Sequence, residues 1–379
     1  MKPSGATFIY RGQLRLERSR LDFLLEAACG SFDHVDVILL SPRGIDQAST
    51  LADFVRHHSA VRSANIVQAT RALPSATRRA VGRLLRDDAP YAIVVGFSAA
   101  SFIPGRCPAL WCVNGIPEER LLTSTALRSR AAVWLDWRAA RRLRADRALV
   151  VSSPMAEVIA TRTGLPTTIV PNAVDRQSFP PPGPEIVPRY LTYEGGGSPW
   201  QGLGHLAAIW RELHLLDDQL QFRVITRDPR AHVLASDLPA DVVDLRSADD
   251  HHEVSRLLQE SRLAFMVREP GIVNRVAWPM KLGEYLASGS PVVVSRCGWD
   301  AERLVERHGA GLTVDWSASA PKTARAILEY LRELGSTRPD GVEAAADELS
   351  SDKWMSVMYQ LLSTGPQAAA RDEPPEVAL

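Results

Sequence analysis

The residues best placed for chemistry lie in the stretch VREPGIVNRVAWPMKLGEYLASGSPVVVS, positions 267–295. An apolar run ends at Arg268-Glu269, a polar loop containing Asn274 follows, and Pro279 opens a segment with helical spacing. A proline at or just before the first helical position costs no hydrogen bond. The free N–H groups and positive dipole end of such a helix attract an anion. Lys281 falls in the first turn, and Glu284 follows three residues later on the same face. An ammonium beside a phosphate and a carboxylate beside a ribose diol would together grip a nucleoside diphosphate. The same spacing also describes an ordinary surface Lys–Glu pair. Arg268 and Lys281 are the candidates for pyrophosphate contact, with Glu269 and Asn274 beside them.

A second constellation is Gly195-Gly196-Gly197, directly after the strand-like run Tyr190–Tyr193. Backbone without Cβ atoms can approach a phosphate closely; the alternative is a loop that only turns the chain. Gln201 closes this segment, and Trp200 could stack on a base or sugar or cover the core. In the first half, Arg11-Gly12-Gln13 follows the first strand and Asn114 follows the strand-like run Leu110–Val113. The cluster Asp249-Asp250-His251-His252-Glu253 has metal-ligand residue types. It also directly precedes a helical pattern, where Asp caps and acids suit the first turn, and capping is the expectation. No D-x-D triplet occurs. Neither a metal site nor a cofactor is expected, and no residue stands out as a catalytic acid or base.

Positioning these residues requires a repeated strand–helix scaffold. Short apolar runs alternate with amphipathic stretches, the pattern of parallel βαβ units. Strands are predicted at Ala6–Tyr10, Val35–Leu40, Ala92–Val95, Leu110–Val113, Leu149–Ser152 and Thr168–Val170, with helices such as Arg20–Cys29, Ser75–Asp87 and Arg128–Arg144 between them. PPPGPEIVP at 180–188 is too rich in proline to continue a helix or a central strand and marks a linker. The second half predicts strands at Tyr190–Tyr193, Phe222–Ile225, Val242–Leu245, Leu263–Val267 and Pro291–Ser295. Its predicted helices are Leu203–Leu213, Val254–Ser261, Met280–Ser288, Trp299–Arg307, Ala320–Leu334, Gly341–Leu349 and Asp352–Leu362. The expected domains are 1–179 and 189–350, with a disordered tail over 364–379. The fold class is α/β, with two doubly wound parallel sheets. In such sheets ligands bind beyond the carboxyl ends of the strands.

With this frame in place, the sequence resembles a known family. The pattern P-x-K-x-x-E-Y-L-A-x-G-x-P-V-V, spanning Pro279 to Val293, looks like the donor-site helix of GT-B glycosyltransferases, most similar to family 4 and its bacterial polysaccharide relatives. Residues 150–180, with Pro171-Asn172-Ala173-Val174-Asp175 and Phe179, resemble that family's inter-domain passage. YEGGGSPWQGL at 193–203 resembles the glycine loop that opens its second domain, and VNGIPEERL at 113–121 resembles a first-domain loop near the acceptor. The resemblance covers nearly the whole chain and is weakest over the first 90 residues. It implies two Rossmann-like domains facing a cleft, with the C-terminal helix packing back on the first domain. It also implies a retaining, metal-independent transfer from a nucleotide-diphosphate sugar to a glycan or lipid-linked acceptor. Glu284 takes the ribose hydroxyls by this resemblance. The donor side would comprise Glu284, Lys281, Arg268, Glu269, Asn274, Gly195, Gly196, Gly197 and Gln201, and the acceptor side Gly12, Arg11 and Asn114.

The sequence also departs from the family pattern. Where many relatives carry Arg and Lys after the glycine loop, this chain has Ser198 or Pro199 and Gln201, and Arg268, Lys281 or Arg275 are the residues that could compensate for the missing positive charge. The position eight before Glu284, a glutamate in the common E-x7-E pair, is Val276. Asn114 stands where relatives often have His or Arg, and an amide cannot act as a base near neutral pH. These departures keep a second reading open, a sugar-nucleotide-binding or scaffold protein of the same fold.

Composition agrees with a two-domain globular chain: 379 residues, 45% hydrophobic and 23% charged. The formal net charge of +0 conceals an asymmetry, since residues 1–170 hold 23 Lys/Arg against 14 Asp/Glu, leaving 21 against 30 in the remainder. A basic first half suits an anionic acceptor or an anionic membrane surface. The candidate contact is RSRAAVWLDWRAARRLRADR at 128–147, where Trp134 and Trp137 sit among seven arginines. No nucleic-acid-binding motif is present. No run reaches the ~18–20 apolar residues of a membrane span, and the first residues carry no apolar signal core. A cytoplasmic protein, peripheral at the inner face of the membrane, is expected. The cysteines Cys29, Cys107, Cys112 and Cys297 form no C-x-x-C pair and read as free thiols.

Overall fold

In the computed structural model the described residues are 4–12, 18–42, 45–69, 74–89, 91–104, 108–248, 250–335 and 337–363. Gln13, Cys107, Asp249 and the expected tail at 364–379 lie outside them. The chain forms two compact units. One comprises the residues up to Pro171 and the last helix from Trp354 onward, the other Asn172–Lys353.

The first unit is built on seven strands: β1 (Gly5–Arg11), β2 (His34–Pro42), β3 (Val61–Ala69), β4 (Tyr91–Val95), β5 (Ala109–Val113), β6 (Ala145–Val150) and β7 (Thr167–Ile169). Their order is β3-β2-β1-β4-β5-β6-β7, and every pairing is parallel. Central strands are buried on both faces, which is why β2 and β4 read as continuous apolar runs. The edge strand β3, VRSANIVQA, alternates half-buried and exposed positions over its first half and buries only Val67 and Ala69 near its end. Its polar residues hid it from a search for apolar runs. The predicted strand Leu149–Ser152 is displaced: β6 ends at Val150, and Ser152 is the N-cap of the helix Ser153–Thr163, its hydroxyl accepting the Met155 N–H at 3.2 Å.

The second unit holds β8 (Tyr190–Glu194), β9 (Gln221–Ile225), β10 (Val243–Arg246), β11 (Ser261–Met266), β12 (Val292–Ser295) and β13 (Gly311–Val314) in the parallel order β10-β9-β8-β11-β12-β13. Trp210 fills the core between sheet and helix, with ring centroids 5.1 Å from Phe222 and 5.7 Å from Phe265. The four-residue strand β13 was not predicted. It needs a glycine at its start, because a Cβ on Gly311 would lie 2.0 Å from the Val292 carbonyl oxygen. The proline-rich stretch 180–188 contains neither helix nor strand. The helix predicted at Val254–Ser261 begins earlier, at His251, and Ser261 already belongs to β11. Each sheet reverses its strand order once, between β1 and β4 in the first unit and between β8 and β11 in the second. At such a point the two crossovers leave in opposite directions and open a crevice at the strand ends.

Candidate functional site

In the second unit that crevice is bordered by the helix Met280–Ala287. Pro279 is its N-cap, and no side chain caps its amino end. The Asn172 amide fixes the entering loop by donating to the Trp278 carbonyl at 2.6 Å. Val174 packs where a Cβ on Gly283 would sit, 2.9 Å from the Val174 Cβ. Asn172 and Val174 of the Pro171–Phe179 motif thus brace the helix Met280–Ala287 and the loop that enters it. Tyr285 locks the helix to the sheet: its buried hydroxyl accepts the Glu194 N–H at 2.9 Å and donates to the Glu194 carbonyl at 3.1 Å.

Lys281, in the first turn, reaches Glu194 at the end of β8, with 2.5 Å between Nζ and Oε2. Glu284 is half-buried and has no hydrogen-bond partner among the described residues. Burial, and next the negative charge of Glu194, push its carboxyl up to about 7, against the opposing pull of Lys281. Lys281 is therefore paired with Glu194 and not with Glu284, the partner that its i, i+3 spacing offered. Glu194 could have been noticed only as an acid at the end of an apolar strand, immediately before three glycines.

The glycine loop is held tightly. Asp228 accepts the Gly197 N–H at 2.8 Å, and Tyr193 donates to the Gly196 carbonyl at 2.7 Å. Hydrogen bonds from Arg230, then from the Gly197 N–H, keep the Asp228 carboxyl below the usual carboxylate range. A Cβ on Gly197 would lie 2.9 Å from the Arg230 carbonyl carbon, so this position has no room for a side chain. A cavity of about 580 Å³ lies at the ends of β8, β9 and β10. Gly195, Gly196 and Lys281 line it, together with Glu194, Thr226, Arg227, Asp228 and His251. Its size falls within the ~300–1,000 Å³ typical of small-molecule sites. Asp250 caps the helix His251–Gln259 by accepting the Glu253 N–H at 2.8 Å, so the acidic cluster plays a capping role at that residue.

Across the switch point, Arg268 follows β11. Its N–H donates to the Ser295 hydroxyl at 2.7 Å, tying β11 to β12, and its guanidinium donates to Gln201 Oε1 at 3.3 Å. The arginine therefore brings a positive charge to the loop position where the family pattern places a lysine. Asn274 sits in a short helix, Ile272–Val276, that was not predicted. Its amide nitrogen donates to the carbonyls of Glu269 at 2.9 Å and Trp200 at 3.2 Å. Its buried Oδ1 has no hydrogen-bond partner among the described residues. The Glu269 side chain is exposed. Of the donor-side candidates, Gly195, Gly196 and Lys281 share one cavity. Arg268, Gln201, Glu269 and Asn274 form a neighbouring cluster, and Glu284 stands beside the Lys281–Glu194 pair.

The acceptor-side candidates belong to the first unit, all at carboxyl ends of strands. Arg11 ends β1, and its guanidinium lies 5.3 Å from the Phe102 ring centroid. The Gly12 carbonyl accepts from the Gln47 amide at 3.0 Å. Asn114 follows β5, and its buried Oδ1 has no hydrogen-bond partner among the described residues.

No protein-family model matches the sequence, and neither does any curated protein. Solved structures do match over nearly the full chain. Sucrose-phosphate synthase from Thermosynechococcus elongatus is 14% identical, covers 94% of this chain and 98% of its own, and superposes with a TM-score of 0.71. HepE from Anabaena, in complex with UDP-glucose, is 15% identical, with coverages of 95% and 99% and a TM-score of 0.71. A glycosyltransferase from Rickettsia africae is 12% identical, with coverages of 98% and 100% and a TM-score of 0.66. At these identities the likeness is one of fold: two parallel-sheet α/β units in succession, matching GT-B glycosyltransferase structures.

Proposed function

We propose that this protein transfers a sugar from a nucleotide-diphosphate donor held by its second unit. The observation that carries the reading is Glu284, a desolvated carboxylate with no partner among the described residues, beside Lys281 on a helix whose amino end no side chain caps. A partly buried carboxylate without donors is costly, and a ribose diol supplies two. The uncapped N–H groups, Lys281 and Arg268 suit the pyrophosphate. The cavity at Gly195-Gly196 has room for the base end of the nucleotide. HepE, of the same fold, was solved with UDP-glucose, which supports a sugar nucleotide as the ligand class.

The resemblance to family 4 supports a retaining, metal-independent transfer to a glycan or lipid-linked acceptor. We assign the acceptor to the first unit at Arg11, Gly12 and Asn114. In such a transfer the departing diphosphate itself assists removal of the acceptor proton. The protein then contributes by orienting both substrates and stabilising charge on the leaving phosphate. This suits a site in which Asn114 replaces a base.

Calorimetric titration with UDP, GDP and their glucose and mannose conjugates, followed by a turnover assay, tests the proposal. Glu284→Ala is expected to weaken nucleotide binding by about 1–3 kcal/mol. Lys281→Ala should weaken the diphosphate more than the nucleoside. Equal loss for both would remove Lys281 from the phosphate site, and an unchanged dissociation constant in Glu284→Ala would remove the ribose assignment. The 2.5 Å tie between Lys281 and Glu194 favours one rival reading, a sugar-nucleotide-binding scaffold whose lysine is already engaged. Stabilisation by nucleotide without turnover across a broad acceptor panel would select that reading.

A further inference from the structure

Two neighbouring amides in the second unit are oriented by their partners, and each turns an unused group the other way. Asn274 is only 5% exposed. Its amide nitrogen donates to the carbonyls of Glu269 at 2.9 Å and Trp200 at 3.2 Å. A carbonyl only accepts, so the nitrogen must face this pair and Oδ1 must point away from it. Oδ1 is buried and meets no donor among the described residues. Gln201 is fixed by the same logic. Its Oε1 accepts from the Arg268 guanidinium at 3.3 Å, and a guanidinium only donates, so the Nε2 hydrogens point away from the arginine. Among the described residues Nε2 donates to no acceptor. Trp200 and Gln201 are consecutive, so Asn274 touches the peptide bond that carries Gln201. An acceptor without a donor and a donor without an acceptor are thus held side by side beyond β11. A buried polar atom left in that state costs free energy.

We propose that Asn274 and Gln201 select the donor by reading one hydroxyl group of its sugar. The inference rests on the nucleotide-sugar reading above and adds which part of the ligand these two residues recognise. A hydroxyl donates and accepts through a single oxygen, so it satisfies Oδ1 and Nε2 together. A phosphate fits the pair badly, because Oδ1 would oppose its oxygens. The order of groups in the site points to the sugar as the source of that hydroxyl. In the proposed binding mode the cavity at the ends of β8, β9 and β10 takes the base, Lys281 on its wall meets the pyrophosphate with Arg268, and Gln201 and Asn274 adjoin Arg268. The ligand runs in the same order, from base through ribose and pyrophosphate to sugar. Both amides are neutral, which suits an uncharged hexose. A sugar lacking the hydroxyl would leave Oδ1 and Nε2 unpaired in a closed site. Polar groups placed in this way reject the missing hydroxyl far more strongly than an apolar pocket rejects an added one.

Calorimetric titration of the full chain with UDP, GDP and their glucose, galactose and mannose conjugates first identifies the hexose bound most tightly. The four deoxy conjugates of that hexose, lacking the hydroxyl at C2, C3, C4 or C6, follow. The wild type is expected to bind one of them about 10- to 100-fold more weakly than the parent, the range for a stranded buried polar group. Asn274→Leu and Gln201→Leu should each weaken the parent conjugate about tenfold and bind that deoxy conjugate as well as the parent, with the affinity for the free nucleoside diphosphate kept within about twofold. Residues that only shape the loop would instead change nucleotide and conjugate alike. Asn274→Leu also releases two carbonyls, so melting temperatures accompany the titrations, and the wild-type deoxy series decides the question if that variant does not fold. A wild type that binds all four deoxy conjugates as tightly as the parent would overturn the inference and leave a buried water as the partner of Oδ1. So would variants that lose nucleoside diphosphate and conjugate equally, or that still discriminate. In each of these cases the nucleotide site stands. No binding of any nucleoside diphosphate by the wild type would remove the nucleotide reading itself, and this inference with it.

Discussion

Glu284→Gln is expected to melt at a higher temperature than the wild type at pH 8 and at nearly the same temperature at pH 4. Burial, reinforced by Glu194, raises the Glu284 carboxyl in the folded protein from an ordinary 4.5 to about 7. The folded state therefore holds this proton more firmly than the unfolded chain does. The associated stability is fully present below about pH 4.5 and is lost as pH rises through 7. Glutamine stays neutral and removes that loss. Given the opposing charge of Lys281, the gain at pH 8 is on the order of 1–3 kcal/mol. Nucleotide affinity should move the opposite way. On the proposed function an ionised Glu284 would accept two hydroxyl donors, so wild-type affinity should rise as pH increases through 7, with proton release on binding, whereas the Gln variant should stay weak and flat. Melting curves and calorimetry across pH 4–8 check both arms. Parallel stability profiles for the two proteins would show that Glu284 is not a strained carboxyl.

Tyr285→Phe is the second expected result with a large effect. The Tyr285 hydroxyl serves both the N–H and the carbonyl of Glu194, and removing it strands backbone polar groups beneath a fully packed ring. A lost buried hydrogen bond of this type costs about 1–3 kcal/mol. At ~2–4 °C per kcal/mol for a unit of this size, the melting temperature should fall by several degrees. The consequence for binding is larger than for a bond remote from the site. The same residue, Glu194, orients Lys281, so loosening the end of β8 also frees the ammonium. Diphosphate affinity should fall together with stability. Tyr193→Phe, which loses only the bond to the Gly196 carbonyl, is the comparison. Equal melting temperatures for wild type and Tyr285→Phe would show that the strand–helix tie carries no weight.

Much of the architecture was legible because hydrophobic periodicity and chain punctuation are local properties. Central strands buried on both faces announce themselves as apolar runs, and the helix Ala320–Leu334 was read to its ends because Pro321 and Gly335 bound it. The edge strands β3 and β13 were not legible, although the edge strands β7 and β10 were. Their place depends on a neighbour: β3 pairs only with β2, and β13 exists because Gly311 lets its backbone approach Val292.

The sequence by itself determined which residues stand ready for the proposed nucleotide site: a lysine and a glutamate three apart behind a helix-starting proline, and three glycines after a strand. Residue type and helical spacing are enough for that. Only the tertiary structure decided how they act. It set Glu194 against Lys281, left Glu284 without a partner among the described residues, and brought the Arg268 guanidinium to Gln201 across 67 positions of sequence. Electrostatic environment is a property of distance in space and of exclusion from water. Neither is written in the order of residues until parallel strands bring remote loops to the same edge of a sheet.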